Sequence, residues 1–247
     1  MLFRLPNGFI DGLYHFSMCE VGELKGKHQN YLANRELVEG NIGHLPKILS
    51  DLIIRVETDT GVEWKGSKEE LLEKLVVGDL EAILIKIREA SFGVKYYFDA
   101  NCEECGKTHK GLRINLDTLE YKTMTPEQLM QTKVVQLPKS GLEVELRPQY
   151  LKDLFEVINI TKNKQDSLIT SSVVTSVRRI GDKTKLTSED FDDLPASDLI
   201  FLMTEVGNTT LEEHIDTLVT STCKGCGKDF EYKIPTILPS FFYPSEA

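Results

Sequence analysis

Two short cysteine motifs constrain the fold of this chain more than any other feature. They are Cys102-Glu-Glu-Cys105-Gly and Cys223-Lys-Gly-Cys226-Gly, and the second begins 121 positions after the first. In each motif a tight turn directs two thiolates at one point, and the glycine that follows suits a positive φ. Structural Zn²⁺ is held tetrahedrally by four ligands of this kind. The motifs therefore predict a single zinc site with the ligands Cys102, Cys105, Cys223 and Cys226.

Two other interpretations of the cysteines stay open. In a metal-free ribbon the four side chains would only pack, as buried cysteines often do. A redox pair requires a helix that begins at the cysteines and lowers the pKa of a thiol, whereas here strand-like residues follow each motif. His109 is a further candidate ligand, although an ordinary strand histidine is the simpler interpretation. Because four thiolates leave no coordination position open, a zinc ion here would be structural.

The sequence around the two motifs repeats in the same order. A helix-like segment, a strand-like segment, the cysteine motif and another strand-like segment follow one another in each half. These segments are 77–85, 94–99 and 112–116 in the first half, and 194–203, 215–222 and 229–234 in the second. Upstream, Leu5-Pro-Asn-Gly8 and Leu137-Pro-Lys-Ser-Gly141 open the halves, and two helical segments follow each: 29–38 and 46–56, then 150–160 and 168–179.

This order predicts an α+β fold built from two diverged copies of a helix-rich unit, each ending in a zinc-ribbon-like knuckle between strands. The predicted domains are residues 1–132, with the first cysteine pair, and residues 133–247, with the second pair and an aromatic tail. A shared metal ion would then hold the two copies together. Closing so long a loop stabilises the folded state, because it removes freedom from the unfolded chain.

Several residues carry local signals for helices. Ser67 and Glu70 form a capping box before an apolar stretch, and Asp79 and Asp198 each suit an N-cap. Within 46–56, apolar residues recur at spacings of three and four, which predicts a helix with one buried face. Those residues are Ile48, Leu49, Leu52, Ile53 and Val56.

The balance of charge bears on the class of partner. The 247-residue chain has a net charge of -10 at pH 7 and a sequence pI near 5.1. Binding along a phosphate backbone requires a basic surface, so nucleic acid is not the expected partner. A local basic stripe remains, formed by Arg178, Arg179, Lys183 and Lys185.

The sequence predicts neither a membrane-spanning segment nor a secretion signal. Its apolar runs are short and interrupted by charge, so no transmembrane helix is predicted. The first residues lack a basic segment followed by an apolar core, so no signal peptide is expected. Paired cysteines in such a protein favour metal binding in a reducing cytosol over disulfides. Residues 159–167 are polar and aperiodic, which predicts a mobile loop.

No enzyme motif is present. Gly106-Lys107-Thr108 ends like a phosphate-binding loop, but Asn101 stands where the first glycine is required. The chain has no nucleophile elbow, no zinc-protease motif and no dinucleotide-binding fingerprint. An acidic cluster at 189–193 is interpreted as the solvated first turn of a helix. We therefore expect no catalytic activity.

Three aromatic residues near the C-terminus, Phe241, Phe242 and Tyr243, lie between prolines. In a segment without regular structure they are typical of an anchor that inserts into a partner's pocket. The alternative is that they fold back onto the core of this protein.

Several longer segments carry a resemblance to a known family. They are Glu23-Leu-Lys-Gly-Lys-His-Gln-Asn-Tyr-Leu-Ala-Asn, Val77-Gly-Asp-Leu-Glu-Ala-Ile-Leu-Ile-Lys-Ile-Arg, Ser91-Phe-Gly-Val-Lys-Tyr-Tyr-Phe with the first cysteine pair, and Pro239-Ser-Phe-Phe-Tyr-Pro. Together they resemble the small baseplate and tail assembly proteins of contractile-tailed, T-even-like phages. The resemblance extends over nearly the whole chain.

The resemblance implies a protein made late in infection that helps to build the baseplate hub, as a chaperone or a minor structural component. Its partners would be hub or tail proteins, met in the host cytoplasm during virion assembly, and it would remain in the baseplate if it is a structural component. It implies no catalytic residues. The alternative function is a zinc-ribbon phage protein that binds nucleic acid or regulates transcription, and a third is a redox enzyme that uses either cysteine pair. The oligomeric state is left open.

Overall fold

The computed structural model describes residues 1–33, 44–155, 173–208 and 213–243. The described chain combines helices with small antiparallel sheets. Among these residues no helix is long and apolar enough to cross a membrane. The predicted loop at 159–167 lies outside the described residues, as do the ends of the predicted helices at 29–38 and 150–160 and the start of the one at 168–179.

The first half opens with a three-stranded antiparallel sheet. Strands β1 (Leu2–Asp11) and β2 (Tyr14–Val21) form a hairpin, and β3 (Ile53–Glu57) pairs with the other edge of β2. Helices α1 (Gly26–Ala33) and α2 (Leu45–Leu52) lie between β2 and β3 in the chain. The third strand of the sheet thus follows the second only after a segment that contains two helices.

A central helix and a second hairpin complete this half. The capping box at Ser67 is confirmed and opens α3 (Lys68–Lys74). Helix α4 (Val77–Phe92) follows, and ten of its 16 residues are buried, among them the charged Asp79, Arg88 and Glu89. Strands β4 (Lys95–Asn101) and β5 (Thr108–Asn115) then form the hairpin that carries the first cysteine pair, and a 3₁₀ turn ends it.

Within the described residues, the second half follows the order of the first from its three-stranded sheet onward. After a short helix, α5 (Pro126–Leu129), the chain forms a three-stranded sheet, a short helix, a longer helix, a hairpin with the second cysteine pair and a 3₁₀ turn. These elements are β6 (Lys133–Gln136), β7 (Glu143–Leu146), β8 (Val177–Ile180), α6 (Ser188–Asp192), α7 (Ala196–Asn208), β9 (Leu218–Thr222), β10 (Asp229–Lys233) and the turn Pro239–Phe242.

The two three-stranded sheets also share their strand register. In each, a fully buried residue of the middle strand pairs with a buried residue on either side: Phe3, Cys19 and Val56 in the first sheet, Val135, Val144 and Ile180 in the second. Each middle strand then has an irregularity one residue later, after Glu20 and after Glu145. Both glutamates form an ion pair with an arginine of the third strand, Arg55 and Arg179.

Two predicted helices extend too far. The helix predicted at 46–56 ends at Leu52, and Ile53 and Val56 belong to β3. The helix predicted at 168–179 is likewise wrong at its end, because β8 begins at Val177. In both places β-branched residues pair with the middle strand of a sheet, and this tertiary pairing overrides the helical spacing.

Across the described part of the chain, the buried apolar residues form two clusters. The larger surrounds α4 and contains the first sheet and both cysteine hairpins, and the smaller lies between the second sheet and α7. The second hairpin and the C-terminal turn therefore pack with the first half through Ile215, Cys223, Phe230, Ile234, Phe241 and Phe242. The clusters do not divide at residue 132, and the two-domain boundary stays a prediction.

Candidate metal centre

Each cysteine motif forms the turn of an antiparallel hairpin with the same backbone hydrogen bonds. The N–H of the first cysteine donates to the carbonyl five residues later, and the N–H of the glycine after the second cysteine donates to the carbonyl of the first. Gly106 and Gly227 adopt φ values of 70° and 75°, a region that glycine enters without steric cost. The two turns are therefore built alike.

The two turns bring their sulfur atoms together. All four Sγ atoms lie within 4.8 Å of one another. The Sγ atoms of Cys102 and Cys226 are 3.8 Å apart, and those of Cys105 and Cys223 are 3.6 Å apart. A disulfide would need about 2.05 Å, whereas a tetrahedral zinc ion with bonds of about 2.3 Å separates its sulfurs by about 3.8 Å. The spacing fits a tetrahedral metal ion, and the convergence of the two pairs is as predicted.

The site has a buried side and an exposed side. Cys102 and Cys223, the first cysteines of their motifs, are buried in the larger cluster, while Cys105 and Cys226 are exposed. Both pairs lie between strands, and neither begins a helix. The helical context that activates redox cysteines is therefore missing at both motifs.

Cys223 receives more hydrogen-bond donors than an ordinary thiol. The N–H of Gly225 lies 3.3 Å from its sulfur, and Nε2 of His109 lies 3.2 Å away. The N–H of Cys226 above all, then those of Gly225 and His109, lower the pKa of Cys223 to about 5 against the raising effect of desolvation. A Cβ on Gly225 would lie 3.4 Å from this sulfur and 2.8 Å from the Lys107 side chain. The absence of a side chain at Gly225 thus lets the backbone of this turn approach the four sulfur atoms closely.

His109 is not one of the four clustered ligands. Its ring is buried and stacks on Phe230, with the ring centroids 5.0 Å apart and an interplanar angle of 21°. His109 follows Cys105 by four positions, and Phe230 follows Cys226 by four. The two rings thus occupy equivalent positions in the two hairpins, a relation visible in the sequence once the motifs are aligned.

The aromatic tail lies mainly in the core. Phe241 and Phe242 are 0% exposed, and Nε of Arg88 donates to the Phe241 carbonyl at 2.9 Å. The larger cluster buries both rings, which is the alternative in which they fold back onto the core, and partner binding by these two residues remains a prediction. Tyr243 is 40% exposed, and its role in partner binding stays a prediction.

Sequence reasoning gave two aspartates the wrong role. Asp79 and Asp198 are not N-caps but the third residues of α4 and α7. Asp79 accepts hydrogen bonds from the N–H groups of Asn7 at 2.8 Å and Gly8 at 3.1 Å. Asp198 accepts them from the N–H groups of residues 139–140 at 2.8 and 2.9 Å. These contacts join residues 58 to 72 positions apart, so no local pattern indicates them.

The basic stripe is largely paired with acidic side chains. Arg178 and Arg179 both contact Glu145, at 3.1 and 3.5 Å, and Lys183 contacts Asp190. Their charge is therefore offset within the second half rather than displayed as a continuous positive surface.

A sequence model of the family described as T4 bacteriophage base plate protein matches residues 29–243. The chain belongs to this T4 baseplate family. The match includes both cysteine motifs and the buried C-terminal turn. No curated protein and no solved structure matches the chain significantly. Membership in the T4 baseplate family confirms the resemblance read from the sequence, and it indicates a structural or assembly protein associated with the phage baseplate.

Proposed function

We propose that this protein assists assembly of the baseplate hub by binding other phage proteins, as a chaperone or as a minor structural component. The family match over residues 29–243 is the observation that carries this proposal. Its partners are hub or tail proteins, which it meets in the host cytoplasm. The net charge of -10 suits a partner with a basic face.

The four clustered cysteines are proposed as the ligands of one structural zinc ion. Sulfur separations of 3.6 and 3.8 Å, without a disulfide, support this assignment. The bound ion would supply a cross-link and no open coordination position for chemistry. Each half of the chain contributes one pair, so the ligands tie the second hairpin to the hairpin that packs on α4. Metal binding and folding are coupled at such a site.

The chain is further proposed to consist of two diverged copies of one unit. Three features support this: the common order of elements, the shared strand register with its Glu–Arg ion pair, and the aspartate at the third helical position. Residues 9–16 of the first hairpin have no counterpart between β6 and β7. The copies thus differ by an extension of the first hairpin.

The assembly role is tested by purifying the tagged, full-length chain from cells infected with the phage that encodes it. Mass spectrometry of the native complexes should identify baseplate hub or tail proteins in fixed stoichiometry. A matched preparation from uninfected cells controls for host proteins. Recovery of the chain with no phage structural protein contradicts the proposal. The protein's presence or absence in purified virions then separates a structural component from a chaperone.

A further inference from the structure

We infer that His109 is a positioning residue of the metal centre, which donates a hydrogen bond to the Cys223 thiolate and raises the affinity of the site for zinc. This inference rests on the zinc site proposed above, and it concerns a residue outside the four ligands.

The geometry defines the direction of this hydrogen bond. Nε2 of His109 lies 3.2 Å from the sulfur of Cys223, within the range for a hydrogen bond to sulfur. A metal-bound thiolate has no proton and acts only as an acceptor, so the imidazole must supply the hydrogen. The ring is 6% exposed and stacks on Phe230. Packing therefore fixes the imidazole plane while Nε2 faces the sulfur.

The contact makes the centre asymmetric. His109 belongs to the first hairpin but reaches a cysteine of the second, so it adds a second link between the halves. Phe230 holds the equivalent position in the second hairpin, and its ring has no N–H that could donate to Cys102. Cys223 alone thus receives an imidazole donor from this pair of positions, in addition to the N–H of Gly225 at 3.3 Å.

A donor of this kind stabilises the metal-bound form. Four thiolates around Zn²⁺ leave a net charge of about -2 at the site, and Cys223 lies in the apolar cluster where such charge is costly. An N–H directed at the sulfur withdraws part of that charge and orients the ligand. Loss of an outer partner of this type lowers metal affinity by about 10–100-fold.

The test uses the full-length chain with three substitutions. His109→Phe copies the residue at the equivalent position, so it retains a stacking ring and removes the donor. His109→Gln retains an N–H donor, and Phe230→Leu alters the packing but leaves the donor in place. Zn²⁺ affinity is measured by competition with a chromophoric chelator, and Co²⁺ substitution reports the thiolate-to-metal charge-transfer band.

His109→Phe should weaken zinc binding about 10–100-fold and move the charge-transfer band to lower energy, because an unbonded sulfur is a better electron donor. His109→Gln should recover most of the affinity, and Phe230→Leu, which loosens the imidazole but keeps its N–H, should shift the band less than His109→Phe does. Unchanged affinity and band in His109→Phe would overturn the inference. If that variant does not fold, His109→Leu is the second donor-free variant with the same expected shift.

The same measurements separate this inference from the zinc proposal. If the wild-type chain binds neither Zn²⁺ nor Co²⁺, the metal centre itself is wrong. If the wild type binds both ions and the donor-free variants match it, only the role of His109 is wrong.

Discussion

Asp79 and Asp198 occupy the same position in the two halves of the chain, and each carboxylate accepts hydrogen bonds from two consecutive backbone N–H groups that follow a Leu-Pro pair. In the first half, a residue of this contact is also hydrogen-bonded to the second half of the chain. The side chain of Asn7, beside Asp79, donates to the carbonyl of Glu213 and accepts from its N–H. Asp79 thus helps to fix the segment that leads to the second cysteine hairpin.

Asp79 should make stability depend on pH. Burial raises its pKa from 3.8 to about 7, despite the N–H donors of Asn7 and Gly8 that lower it. The folded state therefore binds this proton more tightly than the unfolded state. The resulting stabilisation is complete below about pH 4 and is lost as the pH rises through 7, by at most about 1.4 kcal/mol per pH unit.

Asp79→Asn imitates the protonated side chain and should remove this slope. Urea denaturation at pH 5, 6, 7 and 8 measures it, and the difference in unfolding free energy between wild type and variant cancels the titration of other groups. The value for the wild type minus that for the variant should fall as the pH rises from 5 to 7 and level off above 7. Asp198→Asn is the matched control, and a constant difference between wild type and Asp79→Asn over this range rules out the titration of Asp79.

Arg88 should anchor the C-terminal turn. Its side chain is 2% exposed, its Nε donates to the Phe241 carbonyl, and its guanidinium lies 4.9 Å from the centroid of the Tyr96 ring. Arg88→Met would leave a buried carbonyl without its donor and remove a cation–π contact, at a cost of about 2–4 kcal/mol. Chemical denaturation measures the loss. Exposed Lys95→Met, the control, should change stability by less than about 0.5 kcal/mol, and an equal effect of both substitutions contradicts the anchoring role.

The tail residues should separate into two classes. Phe241→Ala removes a fully buried ring and should destabilise the fold by about 3–5 kcal/mol. Tyr243→Ala should leave the unfolding free energy nearly unchanged but reduce recovery of phage proteins from infected cells. Denaturation and pull-down of both variants test this distinction. Undiminished recovery with Tyr243→Ala removes the tail from the binding surface.

Gly78 should be intolerant of a side chain although it lies in a helix. A Cβ at this position would lie 2.3 Å from the carbonyl oxygen of Glu213 and 2.8 Å from Nδ2 of Asn7. Gly→Ala in a helix ordinarily stabilises by about 1 kcal/mol, whereas Gly78→Ala should destabilise. Gly26→Ala in α1, where a Cβ meets nothing within 4 Å, is the matched control. A melting temperature for Gly78→Ala equal to or above that of the wild type would show that the two segments separate at no cost.

Features that depend on short sequence motifs could be predicted from the sequence. The cysteine spacing predicted the convergence of the two pairs, and the capping box at Ser67 marked the start of α3. Local spacing did not predict the end of α2, because Ile53 and Val56 pair with β2 from a distant part of the chain.

Other features depend on contacts between residues far apart in the chain. Asp79 looked like a helix cap because its hydrogen-bond donors lie 71 and 72 positions away. Phe241 and Phe242 looked like a free anchor because the arginine that holds their turn is 153 positions upstream. Composition and periodicity carry no information about such partners, and only the assembled core identifies them.

The most direct test is the zinc content of the chain purified under reducing conditions without added chelator. Inductively coupled plasma mass spectrometry should find one zinc per wild-type chain and none in Cys105→Ser or Cys226→Ser, which alter the exposed ligand of each half. Cys19→Ala, a buried cysteine far from the cluster in sequence, should retain the metal. A folded wild-type chain without zinc, or either ligand variant with full occupancy, would contradict a single ion shared by both halves.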